Sequence, residues 1–94
     1  MIQVIKLSTG EELIGEVEAS DKVTRISKPC ALQWMPSRAN PDQPMMGLIP
    51  YAAYVDGHNI IVKNEQVVWS GKPVTALYNQ YNSIFGTGIQ LAGL

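Results

Sequence analysis

The sequence predicts a mainly β domain, a small barrel of short strands followed by one C-terminal helix. Three observations predict it. Six short extended runs, rich in β-branched residues and separated by turn chemistry, fall within residues 2–69. From Pro73 onward the apolar period changes from two to three and four. A chain of 94 residues is one domain, able to bury roughly 60–65% of the surface its unfolded form exposes, with little core to spare.

Ile2 to Leu7 reads as the first strand, Ser8-Thr9-Gly10 as its turn, and Glu12 to Ala19 as its hairpin partner. Along that partner the two-residue period sets Glu12, Ile14, Glu16 and Glu18 on a wet face and Leu13, Gly15, Val17 and Ala19 on a buried one. Ser20-Asp21-Lys22 turns the chain into a third strand, Val23 to Ser27, which Pro29 bends or interrupts before Ala31 to Met35 continues it. Three prolines and no aliphatic residue larger than alanine mark 36–44 as an exposed loop, extended to 36–46 as a domain feature. Gly47 to Val55 returns to extended apolar character and DGHN turns it. Asn59 to Val62 and Gln66 to Trp69 then read as a tight hairpin about Lys63, Asn64 and Glu65. Val74, Leu77, Tyr78, Tyr81, Ile84 and Phe85 form one face of a helix over 73–86, with Pro73 in its first turn and Gly86 at its end. That stripe calls for an open end or face of the barrel to cover.

Composition narrows the function classes. Seven Lys and Arg against eight Asp and Glu give a formal net charge of −1, so no bulk basic field marks a nucleic-acid binder, and phosphate contact would have to come from a local patch. Charged residues are only 16% of the chain, which leaves neutral surface of the kind that self-assembles. Cys30 is the single cysteine, consistent with a reducing cytoplasm and incompatible with an internal disulfide or a cysteine zinc cage. The opening MIQVIKL lacks the basic region and cleavage site of a secretory leader, and the longest apolar run, Met45 to Val55, is broken by Gly47 and Pro50. Neither a signal peptide nor a membrane span is predicted.

The pattern V-I-K-L-x-x-G-x-E-x-I-G-E-V over residues 4–17, followed by Asp21 at a turn, resembles the first half of the Sm and Sm-like (LSm, Hfq) family motif. In that family one glycine ends the first hairpin turn, a second lies within the second strand, and an aspartate follows; Gly10, Gly15 and Asp21 occupy those places. A residue without Cβ permits the sharp bend that a small barrel demands of one strand. The second half matches more loosely. Lys63 and Asn64 stand where the family has a basic residue and a glycine, and asparagine tolerates the same left-handed turn. The family's usual N-terminal helix is replaced by a strand, and the asparagine expected after the aspartate turn by Thr24 and Arg25. The proline-rich insert, the GLIP run at 47–50 and the tyrosine-bearing helix ending in FG are similar to small Sm-like proteins of tailed phages of marine cyanobacteria.

The resemblance implies a single Sm-like domain over 1–94, a strongly bent five-stranded barrel with a C-terminal helix. It also implies a homo-oligomeric ring of about five to seven subunits, acting without enzymatic activity in the cytoplasm, that of the host if phage-encoded. It implies single-stranded RNA as ligand, facing two hairpin tips, and by position nominates Asp21, Lys22, Arg25, Lys63 and Asn64. Ring repetition would multiply a weak basic contact about five-fold. The alternative is a phage structural or host-protein-interaction module that keeps the ring without RNA, for basic residues at turns are ordinarily solvated.

Other candidates carry less chemistry. His58 has no second histidine or cysteine near it in the chain and reads as an exposed turn residue, so no metal site or cofactor is expected. Glu11, Glu12, Glu16 and Glu18 lie along one hairpin and read as a solvated acidic face, not as a catalytic pair. No serine, including Ser70 beside Gly71, comes with an identifiable base and orienting acid. The GTG at 86–88 follows a helix and reads as its C-cap. Trp34, Trp69, Tyr51 and Tyr54 are either base-stacking platforms or core and interface residues, and Cys30 a small core residue.

Overall fold

A computed structural model of the chain describes residues 1–37, 39, 42 and 44–85. The hairpin implied by the glycine pair is formed by β1 (Ile2–Leu7) and β2 (Glu12–Ala19), paired antiparallel with Val4 opposite Ile14. Gly10 closes its turn at φ +108°, a conformation that costs any residue with a Cβ. Gly15 acts differently. The register between β2 and β3 (Val23–Met35) slips between Ile14 and Glu16, and a Cβ on Gly15 would stand 2.7 Å from Ile26 Cγ2 and 3.0 Å from the Ser27 carbonyl oxygen. The missing side chain lets the two strands close up where the sheet folds over.

Pro29 bends the third strand without ending it. Lys28 takes φ +50°, and β3 runs on either side of that kink as one strand of 13 residues. Before the kink it lies between β2 and β5 (Asn59–Lys63); beyond it, it pairs with β4 (Met45–Pro50) to form an arm. Met45 and Met46 are thus strand residues, outside the loop predicted over 36–46. The extended run predicted to reach Val55 stops at Pro50, because Ala52 at φ +55° turns the chain.

The tight hairpin over 59–69 is corrected. β5 and β6 (Val67–Gly71) are joined by a single 3-10 turn, Asn64–Gln66, yet β5 pairs with β3 and β6 with β1. A two-residue primed turn would match strand twist and hold its strands side by side; the 3-10 turn instead carries the chain across the gap between the two ends of the sheet. The sheet therefore has six antiparallel strands in the order β4-β3-β2-β1-β6, with β5 beside the first half of β3. Five of them correspond to the expected barrel, and the arm strand β4 is the addition.

Two cores flank this sheet. Inside the curl, Ile5, Leu7, Leu13 and Ile26 pack with Ile60 and Val62 of β5 and Val67 of β6, so both end strands close on the same interior. On the outer face α1 (Thr75–Ile84) covers Ile14 and Cys30 with Tyr81, joined by Leu77 and Phe85. Ile14, assigned to a wet face from its period, is fully buried because the helix lies over it. The apolar stripe is only partly used: Leu77, Tyr81 and Phe85 face the sheet, while Val74, Tyr78 and Ile84 stay exposed. Tyr81 fastens the kink by donating its hydroxyl to the Lys28 carbonyl at 2.8 Å. The predicted cap at Gly86 and the 86–88 GTG lie outside the described residues. No helix among the described residues is long and apolar enough to cross a membrane.

Candidate functional site

Two turns distant in sequence meet at one end of the sheet. In the β2–β3 turn the Ser20 hydroxyl and amide both donate to the Val23 carbonyl, at 2.9 and 2.8 Å, which fixes Asp21 and Lys22 at its tip. Asn64, opening the turn between β5 and β6, stitches the two together. Its backbone amide donates to the Lys22 carbonyl at 3.0 Å, its side-chain amide to the Ser20 carbonyl at 2.7 Å, and its side-chain oxygen accepts from Thr24 Oγ1 at 2.6 Å. Thr24 is itself buried. Thr24 and Arg25 stand where the Sm-like resemblance implies an asparagine after the Asp21 turn, and the side-chain amide that spans the junction comes from Asn64 instead.

Asp21, Lys22, Lys63, Asn64 and Glu65 line a groove of about 500 Å³ at this junction. Such a volume lies within the usual range for ligand sites, about 300–1,000 Å³, though its charged walls are exposed on both banks. Two lysines face one aspartate and one glutamate, so the formal charges cancel and the field is local. Four of the five predicted residues are therefore brought together. Arg25 is not among them: it stands on the outer face between Glu18 of β2 and Ile61 of β5, in an adjacent recess that shares only Val23 with the groove.

A second recess, about 240 Å³, opens at the mouth of the curled sheet and meets the groove at Asn64. Ile5, Val17 and Val67 form its apolar wall, and Gln3, Thr24 and Ser70 bring polar groups to it. Gln3 was legible in principle, since it shares the inward parity of Ile5 and Leu7. Ser70 was not. A bulge between Lys6 and Leu7 shifts the β1–β6 register, so that Val67 faces Leu7 and Ser70 faces Ile5 while Val68 and Trp69 both stay exposed.

The remaining candidates resolve as structure. His58 is half-buried, not exposed as predicted; its Nε2 lies 2.9 Å from the Tyr51 carbonyl and its ring 5.7 Å from that of Phe85. Glu11 accepts from the Thr9 hydroxyl and, at 3.0 Å, from the Tyr51 hydroxyl. The Thr9 bond, its own backbone amide and Tyr51 hold its carboxyl below the usual range, while Glu11 in turn raises the Tyr51 phenol. Cys30 is a core residue whose thiol burial pushes up to about 11. Among the described residues no group of three or more His, Cys, Asp or Glu could hold a metal. Trp34, Trp69 and Tyr54 are exposed and so are not core, whereas Tyr51 is half-buried.

No protein-family model and no curated protein matches the chain.

Proposed function

We propose that the chain is a non-enzymatic Sm-like ring protein of the cytoplasm that binds single-stranded RNA along the groove between its two stitched turns. The observation that carries this reading is the convergence of Lys22 and Lys63 on one groove, held by the three hydrogen bonds of Asn64. The stitched turns fix the backbone from which both lysines reach, so only their side chains have to order when phosphate arrives, and repetition around a ring compensates for the weakness of each copy.

The state of the strand edges supports the ring. β4 is an edge that the chain protects. The Tyr51 amide faces β3, donating to the Pro29 carbonyl at 2.8 Å, so the backbone groups of Met46 and Leu48 point outward; Gln80 caps the Met46 carbonyl at 3.1 Å and Pro50 removes a donor. Among the described residues β5 and β6 have no such protection. Each pairs on one side only, neither contains proline, and Lys63 is the single charged residue on the two. Ile61, Val68 and Trp69 stand exposed beside them. Unguarded edges invite strand addition, and joining the β5 edge of one copy to the β6 edge of the next removes both by closure.

A second reading keeps the ring and drops the RNA, leaving a phage structural or host-protein-interaction module of about five to seven copies. Asp21 and Glu65 favour it, because they cancel the two lysines within the groove. Native mass spectrometry and oligonucleotide titration separate the readings. A monomer at micromolar concentration ends both. A ring that binds oligo(U) or oligo(A) with an affinity falling as salt rises supports the first. A ring without salt-sensitive binding leaves the second.

A further inference from the structure

We propose that the recess at the mouth of the curled sheet is a base-reading site, in which Gln3 and Ser70 contact the edge of one uncharged nucleobase while its phosphates lie along the lysine groove. The inference rests on the RNA reading and adds to it the residues that select the base.

The inward-facing positions of the strands are apolar with three exceptions. Beyond the recess the interior is filled by Leu7, Leu13 and Ile26, whereas Gln3, Thr24 and Ser70 are polar and all line this recess. An inward polar side chain is a cost unless it has a partner. Thr24 has one in Asn64. Gln3 donates to the Met1 thioether, a weak acceptor, at 3.4 Å, which leaves its amide oxygen and second hydrogen for a ligand. Ser70 is exposed, beside the apolar wall.

The partition of charge matches a nucleotide. Among the described residues no ionisable side chain lines the recess, whereas the groove that meets it at Asn64 is walled by Lys22, Lys63, Asp21 and Glu65. A base is flat, uncharged and rimmed with donors and acceptors, and its faces suit the apolar wall of Ile5, Val17 and Val67; the ribose phosphate needs the cations. A carboxamide offers a donor and an acceptor side by side and so distinguishes bases by their edge pattern.

The test is fluorescence anisotropy with oligo(U), oligo(A), oligo(C) and an abasic ribose-phosphate oligomer of the same length at two salt concentrations. The proteins are the wild type, Gln3→Met, Ser70→Ala and Lys63→Glu. Wild type is expected to prefer one base and to bind the abasic oligomer about tenfold more weakly, the scale of one lost recognition contact. Gln3→Met, which keeps the volume, and Ser70→Ala are expected to level the three bases with the salt slope unchanged. Lys63→Glu is expected to weaken all of them and reduce the slope. Salt-sensitive binding in which the abasic oligomer competes equally, or in which Gln3→Met and Ser70→Ala keep the wild-type preference, overturns the base site and leaves the RNA reading standing. Absence of salt-sensitive binding to every oligomer overturns both. The abasic comparison uses wild-type protein, so a variant that fails to fold does not decide the outcome.

Discussion

Thr24 Oγ1 donates to Asn64 Oδ1 at 2.6 Å, joining the strand after one turn to the residue that opens the other. The bond is part-buried, and both polar atoms of the Asn64 side chain are engaged, for its nitrogen donates to the Ser20 carbonyl. The two tips of the groove are thereby one unit.

Removing either partner should cost more than the bond itself, because the other is left unsatisfied. Thr24→Val and Asn64→Ala are each expected to lower unfolding free energy by about 1–3 kcal/mol. The double variant should cost less than the sum, as a urea-melt cycle would read. Additive losses would mean the two residues do not act through each other.

Gly15→Ala tests the bend. The new methyl meets Ile26 Cγ2 at 2.7 Å and a backbone oxygen at 3.0 Å, so a loss of about 1–3 kcal/mol is expected from overpacking. Gly10→Ala meets no neighbour within 4 Å and is strained only by its φ of +108°, with an expected cost of about 1–2 kcal/mol. Chemical denaturation that ranks Gly10→Ala well above Gly15→Ala would contradict the close approach at residue 15.

The buried thiol sets an alkaline limit. Burial raises Cys30 from an ordinary 9.0 to about 11, and burial raises Tyr81 as well. Through neutral pH both groups are protonated folded and unfolded, so neither affects stability. Above pH 9 the unfolded chain's thiol releases its proton while the folded one keeps it, so the unfolded state binds fewer protons and stability falls as pH rises toward 11. Thermal melts from pH 7 to 11 should show this decline, and Cys30→Ser should flatten its first part. In the folded protein Cys30 should also resist thiol reagents at pH 8 until denaturant is added.

Charge placed on the edges left open among the described residues should break the proposed ring and spare the fold. Ile61 and Trp69 are 57% and 45% exposed, so Ile61→Glu and Trp69→Glu remove little from the core of a single copy. Native mass spectrometry is expected to show the ring replaced by monomer at micromolar concentration, with the circular dichroism spectrum unchanged. Rings that survive both substitutions would place the subunit contact elsewhere, with the exposed arm residues Trp34 and Met45 next to be changed.

Within the groove, Lys22→Glu and Lys63→Glu should reduce oligonucleotide affinity together with its salt slope. Arg25→Glu should do less, since Arg25 faces Glu18 and Ile61 outside the groove. An Arg25 effect equal to that of the lysines would move the binding surface to the outer face.

By itself, the sequence determined what depends on local covalent geometry and near neighbours. Gly10, Gly15, Pro29 and the two-residue period locate the first hairpin, its bend, the kink in the third strand and the inward residues Leu13 and Val17, because each acts through its own backbone or the next strand. The change of period after Pro73 located the helix for the same reason. Tertiary structure decided everything that depends on what a face or an edge meets. Ile14 is buried because a helix from the far end of the chain covers it, and β5 leaves β6 because β3 and β1 offer each a longer-range partner. Asn64 reaches Thr24 rather than solvent only once both turns are in place, and Ser70 turns inward only because the β1–β6 register slips. Those contacts join residues far apart in sequence, and periodicity within one strand carries no information about them.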